Sequence, residues 1–170
     1  MNRNIFLLFL FFMCLSCNDS KNNTQTPIKI VSVFDAQEVE WFKSKGTGTI
    51  SGTAKFKSKN GEVRFGKEFR IELMPSSSYT EERLQHIYHN KQSGAVYAEN
   101  GILTFTPDPK GYHDTIKMMC DENGMFTYNN LPAGDYYVIA FMLWDTTGGG
   151  LMQRVTLSEG ETTHIEMKNF

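Results

Sequence analysis

The segment from Asp135 to Trp144 constrains the fold more than any other part of the chain, because it is apolar at nearly every position. A strand that exposed one face to solvent would alternate apolar and polar residues instead. An almost continuous apolar run of this length is typical of a strand that is buried on both faces. The chain is therefore predicted to fold around a central strand at this segment.

Shorter segments with alternating polarity fill most of the remaining chain, and Gly- and Asn-rich turns separate them. Two Asn-Gly pairs, Asn60-Gly61 and Asn100-Gly101, are strong hairpin signals. Short strands at this spacing predict an all-β fold, an antiparallel β-sandwich of about seven to eight strands. The predicted strands begin at Thr49 and continue at 69–73, 95–99, 102–106, 115–120, 125–128, 135–144, 151–157 and 162–167, with a further short strand at 28–34.

One short amphipathic helix is predicted to interrupt the strands, from about Tyr79 to Asn90. Ser78 and Glu81 have the spacing of a capping box, with Ser78 as the capping residue. Leu84, Ile87 and Tyr88 follow at helical spacing and would form its apolar face. A second helical turn is predicted at 36–43, where the chain leads into the domain.

The stretch from Gly124 to Val138 resembles the G-x-F-x-x-x-x-L-P-x-G-x-Y signature of carboxypeptidase regulatory-like domains, also called transthyretin-like or prealbumin-like. In physical terms, Phe126 enters the core and Leu131–Gly134 makes a tight corner. Tyr136 or Tyr137 then opens the next strand, with a buried ring and a hydroxyl free to bond. The resemblance covers about residues 46–168.

The chain also resembles, more narrowly, a bacterial envelope subgroup of these domains. The residues that carry this resemblance are Trp41, Gly46–Gly52, Ile71–Pro75, Tyr79, and Trp144 with its glycine run. The broad family implies folding, docking and carbohydrate or peptide contacts, and its bacterial members are usually non-catalytic. The C-terminal Tyr-Arg-Gly-Ser hallmark of the transthyretin-fold hydrolase is not in this sequence. The protein is therefore expected not to be an enzyme and to need no cofactor.

The N-terminus predicts a membrane anchor. Arg3 precedes an unbroken apolar run from Ile5 to Leu15, which is shorter than the roughly 20 residues of a membrane span and fits a secretory signal. The sequence Cys14-Leu-Ser-Cys17 resembles a bacterial lipobox, which would make Cys17 the site of fatty acylation, by palmitate among others. The predicted parts are a signal peptide at 1–16, a tether and lead-in at 17–45, and the β-sandwich at 46–170.

Location and partners follow from the same region. A lipid at Cys17 would hold the protein at the cell envelope, and Asn18 lacks the acidic side chain that often signals inner-membrane retention. The outer membrane is therefore favoured, on either its periplasmic or its surface face.

The formal net charge of −2 argues against nucleic acid as a partner.

A ligand-binding loop is predicted from Trp144 to Gly150. Three consecutive glycines give no core packing, and an aromatic side chain beside Asp145 could receive a sugar or a peptide. Tyr79, Arg83 and Tyr88 could join this loop from the helix. The alternative is that Trp144 completes the core and the glycine run forms a plain hairpin.

Metal binding has only weak candidates. His86 and His89 stand three residues apart on the predicted helix, and His113 or His164 could supply a third ligand. The alternative places His86 in solvent and His89 at the end of the helix. Cys120 is interpreted as a buried inert thiol, or else as part of a Met- and Cys-containing copper site.

Three functions remain open at this point. The leading hypothesis is a non-catalytic module that docks onto an envelope protein, using a surface around the helix and the glycine run. The second is a glycan- or peptide-binding module, with Trp144 and tyrosines in its groove. The third is a small metal-binding lipoprotein.

Overall fold

The computed structural model describes residues 26–65 and 69–170, and strands dominate this part of the chain. One α-helix, α1, spans Ser78–Tyr88, and short 3-10 helices lie at Glu40–Lys43, Ala98–Asn100 and Lys110–His113. The strands are β1 (Ile28–Lys29), β2 (Gly48–Lys57), β3 (Val63–Phe65), β4 (Arg70–Pro75), β5 (Ser93–Tyr97), β6 (Phe105–Thr106), β7 (Ile116–Met119), β8 (Met125–Leu131), β9 (Gly134–Trp144), β10 (Thr147–Leu157) and β11 (Thr162–Met167).

Two packed sheets form the body of the fold. One has five antiparallel strands in the order β5-β10-β9-β4-β7. The other is built around β2, which pairs antiparallel with β3 and β8. The predicted β-sandwich with one short inserted helix is therefore confirmed. One pair differs from the predicted antiparallel pattern: β11 runs parallel to β2, because the chain leaves β10 and crosses into the opposite sheet.

The central strand β9 is buried on both faces, as its composition predicts. Tyr136, Val138 and Ala140 point into the core between the two sheets, where β2, β8 and β10 also contribute apolar side chains. Tyr137 and Ile139 point the other way, into a second apolar cluster under α1. Both tyrosine rings of the corner motif are fully buried, so neither face of this strand is available to solvent near its start.

The outer face of the five-stranded sheet is covered by α1 and by two irregular segments. Tyr79, Leu84 and Tyr88 pack from the helix, while Ile30 and Phe105 pack from the segments that contain β1 and β6. The 3-10 helix at Glu40–Lys43 confirms the helical turn predicted before the domain. The lead-in segment therefore packs on the sandwich from about Ile28 onwards.

Three predicted ends of helices and strands are wrong. Ser77, not Ser78, caps α1, because the Ser77 side chain accepts the Thr80 amide. The helix ends at Tyr88, two residues early, because His89 turns to the left-handed conformation. The strand predicted at 28–34 ends at Lys29.

The second Asn-Gly pair makes a turn but not a hairpin. Strand β5 pairs with β10, and β6 pairs in parallel with β1. The two segments that flank Asn100-Gly101 therefore find partners elsewhere, and a 3-10 turn joins them.

The predicted signal peptide and Cys17 lie outside the described residues. Among the helices of residues 26–65 and 69–170, none is long and apolar enough to cross a bilayer.

Candidate functional site

The predicted glycine-rich loop is a tight hairpin, which corrects the expectation of a long loop. Strand β9 continues to Trp144 and β10 begins at Thr147, so only Asp145 and Thr146 form the turn. Asp145 is exposed and has a positive φ of 50°. The three glycines lie in β10. Neighbouring residues approach the strand closely there, since a Cβ at position 149 would lie 2.5 Å from Phe56 Cζ. The glycine run therefore allows close packing against this strand.

Trp144 lies in the core between the sheets, with only 8% of its surface exposed. Its ring packs against Phe56 and Phe69, with centroid distances of 6.2 and 6.0 Å. Its Nε1 donates to the Glu62 carboxylate at 3.2 Å. The Arg64 guanidinium stacks on the ring at 5.0 Å and covers its outer side. The alternative in which Trp144 completes the core agrees with this placement.

The predicted helix residues lie in the other apolar cluster, under α1. Tyr79 is fully buried, and its hydroxyl donates to the Pro107 carbonyl at 2.6 Å. The Arg83 guanidinium lies 4.5 Å from the ring centroids of both Phe105 and Tyr112, and Asp108 pairs with it. These contacts fix the segment around residues 105–113 onto the helix.

Tyr88 and Trp144 consequently face opposite sides of the five-stranded sheet. The structure does not bring Trp144 and Asp145 into one cleft with Tyr79, Arg83 and Tyr88. Whether any of these side chains binds a ligand stays a prediction.

The histidines do not converge. His86 is half-buried beside the Phe105 ring, and His89 is exposed in the C-cap of the helix. His113 pairs with Asp108 at 2.9 Å, and His164 lies 3.1 Å from Ser51 Oγ on the other sheet. Across residues 26–65 and 69–170, no three His, Cys, Asp or Glu side chains are grouped to hold a metal ion.

Cys120 lies directly after β7 and is buried. Burial, with a smaller contribution from the nearby Asp121 charge, raises the pKa of its thiol to about 11. The thiol is therefore protonated at neutral pH, in agreement with the interpretation of an inert buried cysteine.

A polar cleft of about 420 Å³, which sequence reasoning missed, opens beside the N-terminal end of α1. Three parts of the chain form it: the 3-10 helix that carries Trp41, the serines that lead into α1, and the corner before β9. Its lining also includes Arg154 of β10. The side chains that give it chemical character are Glu38, Trp41, Ser76, Glu81, Asp135 and Arg154.

Trp41 forms an aromatic wall of this cleft and is only half-buried. Its ring meets the Tyr136 ring edge-on, with 5.1 Å between centroids. A Cβ at position 134 would overlap the Trp41 ring, so the glycine of the corner motif is what lets the indole pack there. The Tyr136 hydroxyl donates to the Pro132 carbonyl at 2.5 Å and closes the corner. The motif behind the predicted fold thus also positions the indole.

A network of charges fixes the carboxylates of the cleft. The Arg154 guanidinium pairs with Glu81 at 3.1 Å and with Asp135 at 3.4 Å. Glu81 also accepts hydrogen bonds from Ser76 Oγ at 3.2 Å and from Lys91 Nζ at 3.3 Å. Since the only guanidinium in the lining is already shared, the cleft offers mainly hydrogen-bond acceptors.

Glu38 adds a third carboxylate from the segment just before the 3-10 helix. One of its oxygens accepts the Ser78 amide at 3.1 Å, at the start of the helix. The residue is exposed, so the second oxygen faces the cleft or bulk water. An aromatic wall beside fixed acceptors suits a ligand that carries both C–H faces and hydroxyl donors.

Only weak signals in the sequence point to this cleft. Trp41 falls in the helical turn predicted at 36–43, outside the predicted sandwich, and Asp135 and Arg154 fall in predicted strands. A tryptophan in the acidic stretch at 36–43, before a Gly-Thr-Gly turn, is the signal that could have found it.

A second cleft of about 520 Å³ adjoins the first. Apolar side chains form its floor, among them Phe42, Met74 and Tyr112. Its rim is polar and includes Asp114 and Asn130, which are both exposed.

Comparison with known proteins identifies the fold but no family. No family model matches the sequence, and no curated protein matches it. A crystal structure from Pseudomonas aeruginosa, of a protein for which carbohydrate binding has been suggested, is similar with a TM-score of 0.63 and 23% identity. The structural match covers 81% of this chain and 99% of the Pseudomonas aeruginosa chain. A minor pilin from Streptococcus agalactiae gives a TM-score of 0.34 at 14% identity, over 74% of this chain and 46% of that one. The first of these likenesses supports the β-sandwich fold.

Proposed function

We propose that this protein is a non-catalytic carbohydrate-binding module that a lipid on Cys17 holds at a bacterial cell envelope. The observation that carries the proposal is the cleft in which Trp41 stands beside fixed carboxylates. The resemblance of the corner motif to carboxypeptidase regulatory-like domains agrees with such a role, as does the function suggested for the similar Pseudomonas aeruginosa protein. The outer membrane is the favoured site of the anchor.

The geometry supports binding through two kinds of contact. The exposed part of the indole would stack on the apolar face of a sugar ring, since aromatic rings present a flat apolar surface. The carboxylates of Glu38 and Asp135 would accept hydrogen bonds from sugar hydroxyls. Because Arg154 pairs with Asp135 and the Ser78 amide holds one oxygen of Glu38, these acceptors need little reorganisation when the ligand arrives, which reduces the cost of binding.

The same structure favours this function over docking to an envelope protein. The docking hypothesis relied on an exposed surface around α1 and the glycine run. Gly148, Gly149 and Gly150 are buried in β10, so the glycine part of that surface is not available. Docking elsewhere on the domain stays a prediction, as does metal binding.

Glycan binding can be tested with the lipidated protein in detergent micelles. An array of neutral and acidic glycans, from one to six sugars long, would identify ligands, and calorimetry would measure their affinities. We expect Trp41→Ala to weaken binding by about tenfold or more, since buried aromatic anchors dominate such sites. Glu38→Gln, which alters an exposed side chain, should weaken it less.

The control is Phe170→Ala, which removes an aromatic side chain that is 56% exposed at the C-terminus. It should leave the affinity unchanged. Because Trp41 also packs on Tyr136, the melting temperature of each variant would be measured in parallel. Binding to no glycan, or binding by Trp41→Ala that is as tight as that of the wild type, would contradict the proposal.

A further inference from the structure

The two clefts meet along one ridge, because the same three chain segments line both of them. Within each segment, one residue lines the first cleft and its neighbour lines the second. The pairs are Trp41 and Phe42, Ser76 and Pro75, and Ala133 and Pro132. The clefts are therefore neighbours that share one wall, and this wall is the ridge between them.

The ridge itself carries aromatic rings toward both sides. The Trp41 and Phe42 rings are 6.2 Å apart, with an interplanar angle of 81°. Both rings also pack against Tyr136, at 5.1 and 6.0 Å, which fixes them in the fold. Each cleft thus has its own rigid aromatic surface at the point where it meets the other.

The second cleft also has hydrogen-bonding groups that the fold does not use. Within the described residues, the side chains of Asp114 and Asn130 make no hydrogen bond. Both are exposed and stand on the rim. Asn130 is held at a positive φ of 59°, and its carbonyl accepts the Gly46 amide. Its backbone position is therefore fixed while its amide side chain is free to bind.

From this arrangement we infer that the ligand is an extended oligosaccharide that crosses the ridge and places at least one sugar in each cleft. The inference rests on the proposed function, because it assigns a length to the same ligand. A monosaccharide would use the aromatic surface and the polar groups of one cleft only. A longer chain would use both sets, and its second contact adds affinity without a second loss of translational freedom.

The test measures how the affinity depends on the length of the glycan and on the side chains of the second cleft. Calorimetry on the lipidated protein in micelles would use the best-binding neutral glycan series of the array, from monosaccharide to hexasaccharide. We expect the affinity to rise about tenfold or more once the chain can reach both clefts, which corresponds to one or two added contacts.

Asn130→Gly is the diagnostic variant, because glycine tolerates the positive φ at this position. It should weaken binding of the longer glycans about fivefold, the effect of one lost hydrogen bond. Its effect on the monosaccharide should be nil. Asp114→Ala should behave in the same way. Asn123→Ala, which changes an exposed asparagine in a distant turn, is the matched control and should change neither affinity.

The outcomes separate this inference from the proposed function. If short and long glycans bind equally, or if Asn130→Gly and Asp114→Ala both leave long glycans unaffected, the inference is wrong. The proposed function would still stand in that case, provided that Trp41→Ala weakens binding about tenfold or more. If no glycan of any length binds, both are wrong.

Discussion

Single residues decide how closely the layers of this molecule approach one another. At Gly149, a Cβ would overlap the Val96 carbonyl oxygen of the neighbouring strand and lie 2.5 Å from Phe56 Cζ. At Gly150, the nearest atom is the hydroxyl oxygen of Tyr88, at 2.9 Å, which is the end of a side chain. The two positions are adjacent, but only the first meets rigid backbone.

We therefore expect Gly149→Ala to be far more destabilising than Gly150→Ala. Overpacking against atoms that cannot move costs typically about 1–3 kcal/mol and sometimes more. The Tyr88 side chain can shift slightly, so Gly150→Ala should cost less than about 1 kcal/mol. Urea denaturation of both variants measures the difference in the free energy of unfolding. Equal losses would show that the Gly149 backbone can move away from β5.

Residue chemistry predicts part of the site and not the rest. The buried tyrosine with a bonded hydroxyl follows from the corner motif, and the Tyr136 hydroxyl does donate to Pro132. The contact of Trp41 with the same corner could not be predicted, because it joins two segments that are far apart in the chain. No local pattern encodes such a contact, since it depends on where the lead-in segment packs.

At the scale of elements, the start of α1 distinguishes two adjacent serines. Ser77 is 3% exposed, and its Oγ accepts the Thr80 amide at 3.1 Å. Ser78 is exposed and begins the helix. Loss of an N-cap side chain costs about 0.5–2 kcal/mol, whereas an exposed serine at the first helical position contributes little.

We expect Ser77→Ala to lower the free energy of unfolding by about 1 kcal/mol. Ser78→Ala should change it by less than about 0.5 kcal/mol. Chemical denaturation of the two variants, followed by circular dichroism, measures both. A larger loss of unfolding free energy in Ser78→Ala than in Ser77→Ala would show that Ser78 is the capping residue, as the sequence pattern indicates.

The two Asn-Gly pairs show what a local signal can predict about elements. Both glycines adopt a positive φ, 91° at Gly61 and 88° at Gly101, so the turn preference is expressed at both places. Only Asn60-Gly61 joins a pair of hydrogen-bonded strands, β2 and β3. Strand pairing depends on which strands lie nearby in the fold, and β10 and β1 pair with the segments that flank the second turn.

A carboxylate on α1 clamps the lead-in segment. Glu82 accepts the amides of Val31 and Ser32, at 2.8 and 2.7 Å. The hydrogen bonds from Ser32 and Val31 hold the pKa of Glu82 below its ordinary value. A lowered pKa in the folded state means that the clamp stabilises the protein at neutral pH. That contribution is lost as the pH falls through the pKa of the folded state.

We expect the amide chemical shifts of Val31 and Ser32 to titrate with a midpoint below the usual glutamate pKa of about 4.3. In Glu82→Gln this titration should disappear, because the amide side chain has no proton to gain. Glu122→Gln, in an exposed turn, is the control and should leave the titration in place. A midpoint at or above the usual value would contradict the clamp.

For the whole molecule, the charges of the cleft imply which glycans the proposed site would prefer. Glu38, Glu81 and Asp135 line it against two cationic partners, Arg154 in the lining and Lys91 at 3.3 Å from Glu81. An acidic sugar would meet this excess of negative charge, and like charges in a partly enclosed site repel. We expect neutral glycans to bind at least about tenfold more tightly than uronic acid-containing glycans of equal length at low salt. The glycan array measures this ratio, and stronger binding of acidic glycans would contradict the electrostatic argument.

The proposed lipid on Cys17 would determine where such a cleft could act. The first ten residues after Cys17 in the predicted tether and lead-in, 18–27, span at most about 35 Å when fully extended, so a lipidated Cys17 would keep the domain close to the membrane surface. We expect Cys17→Ser to move the protein from the membrane fraction to the soluble fraction. Mass spectrometry of the wild type should find acyl chains on Cys17. Cys120→Ser is the matched control, because it removes a buried thiol and keeps the anchor. If Cys17→Ser stays in the membrane fraction while glycan binding persists, the cleft is retained and another element holds the protein at the membrane.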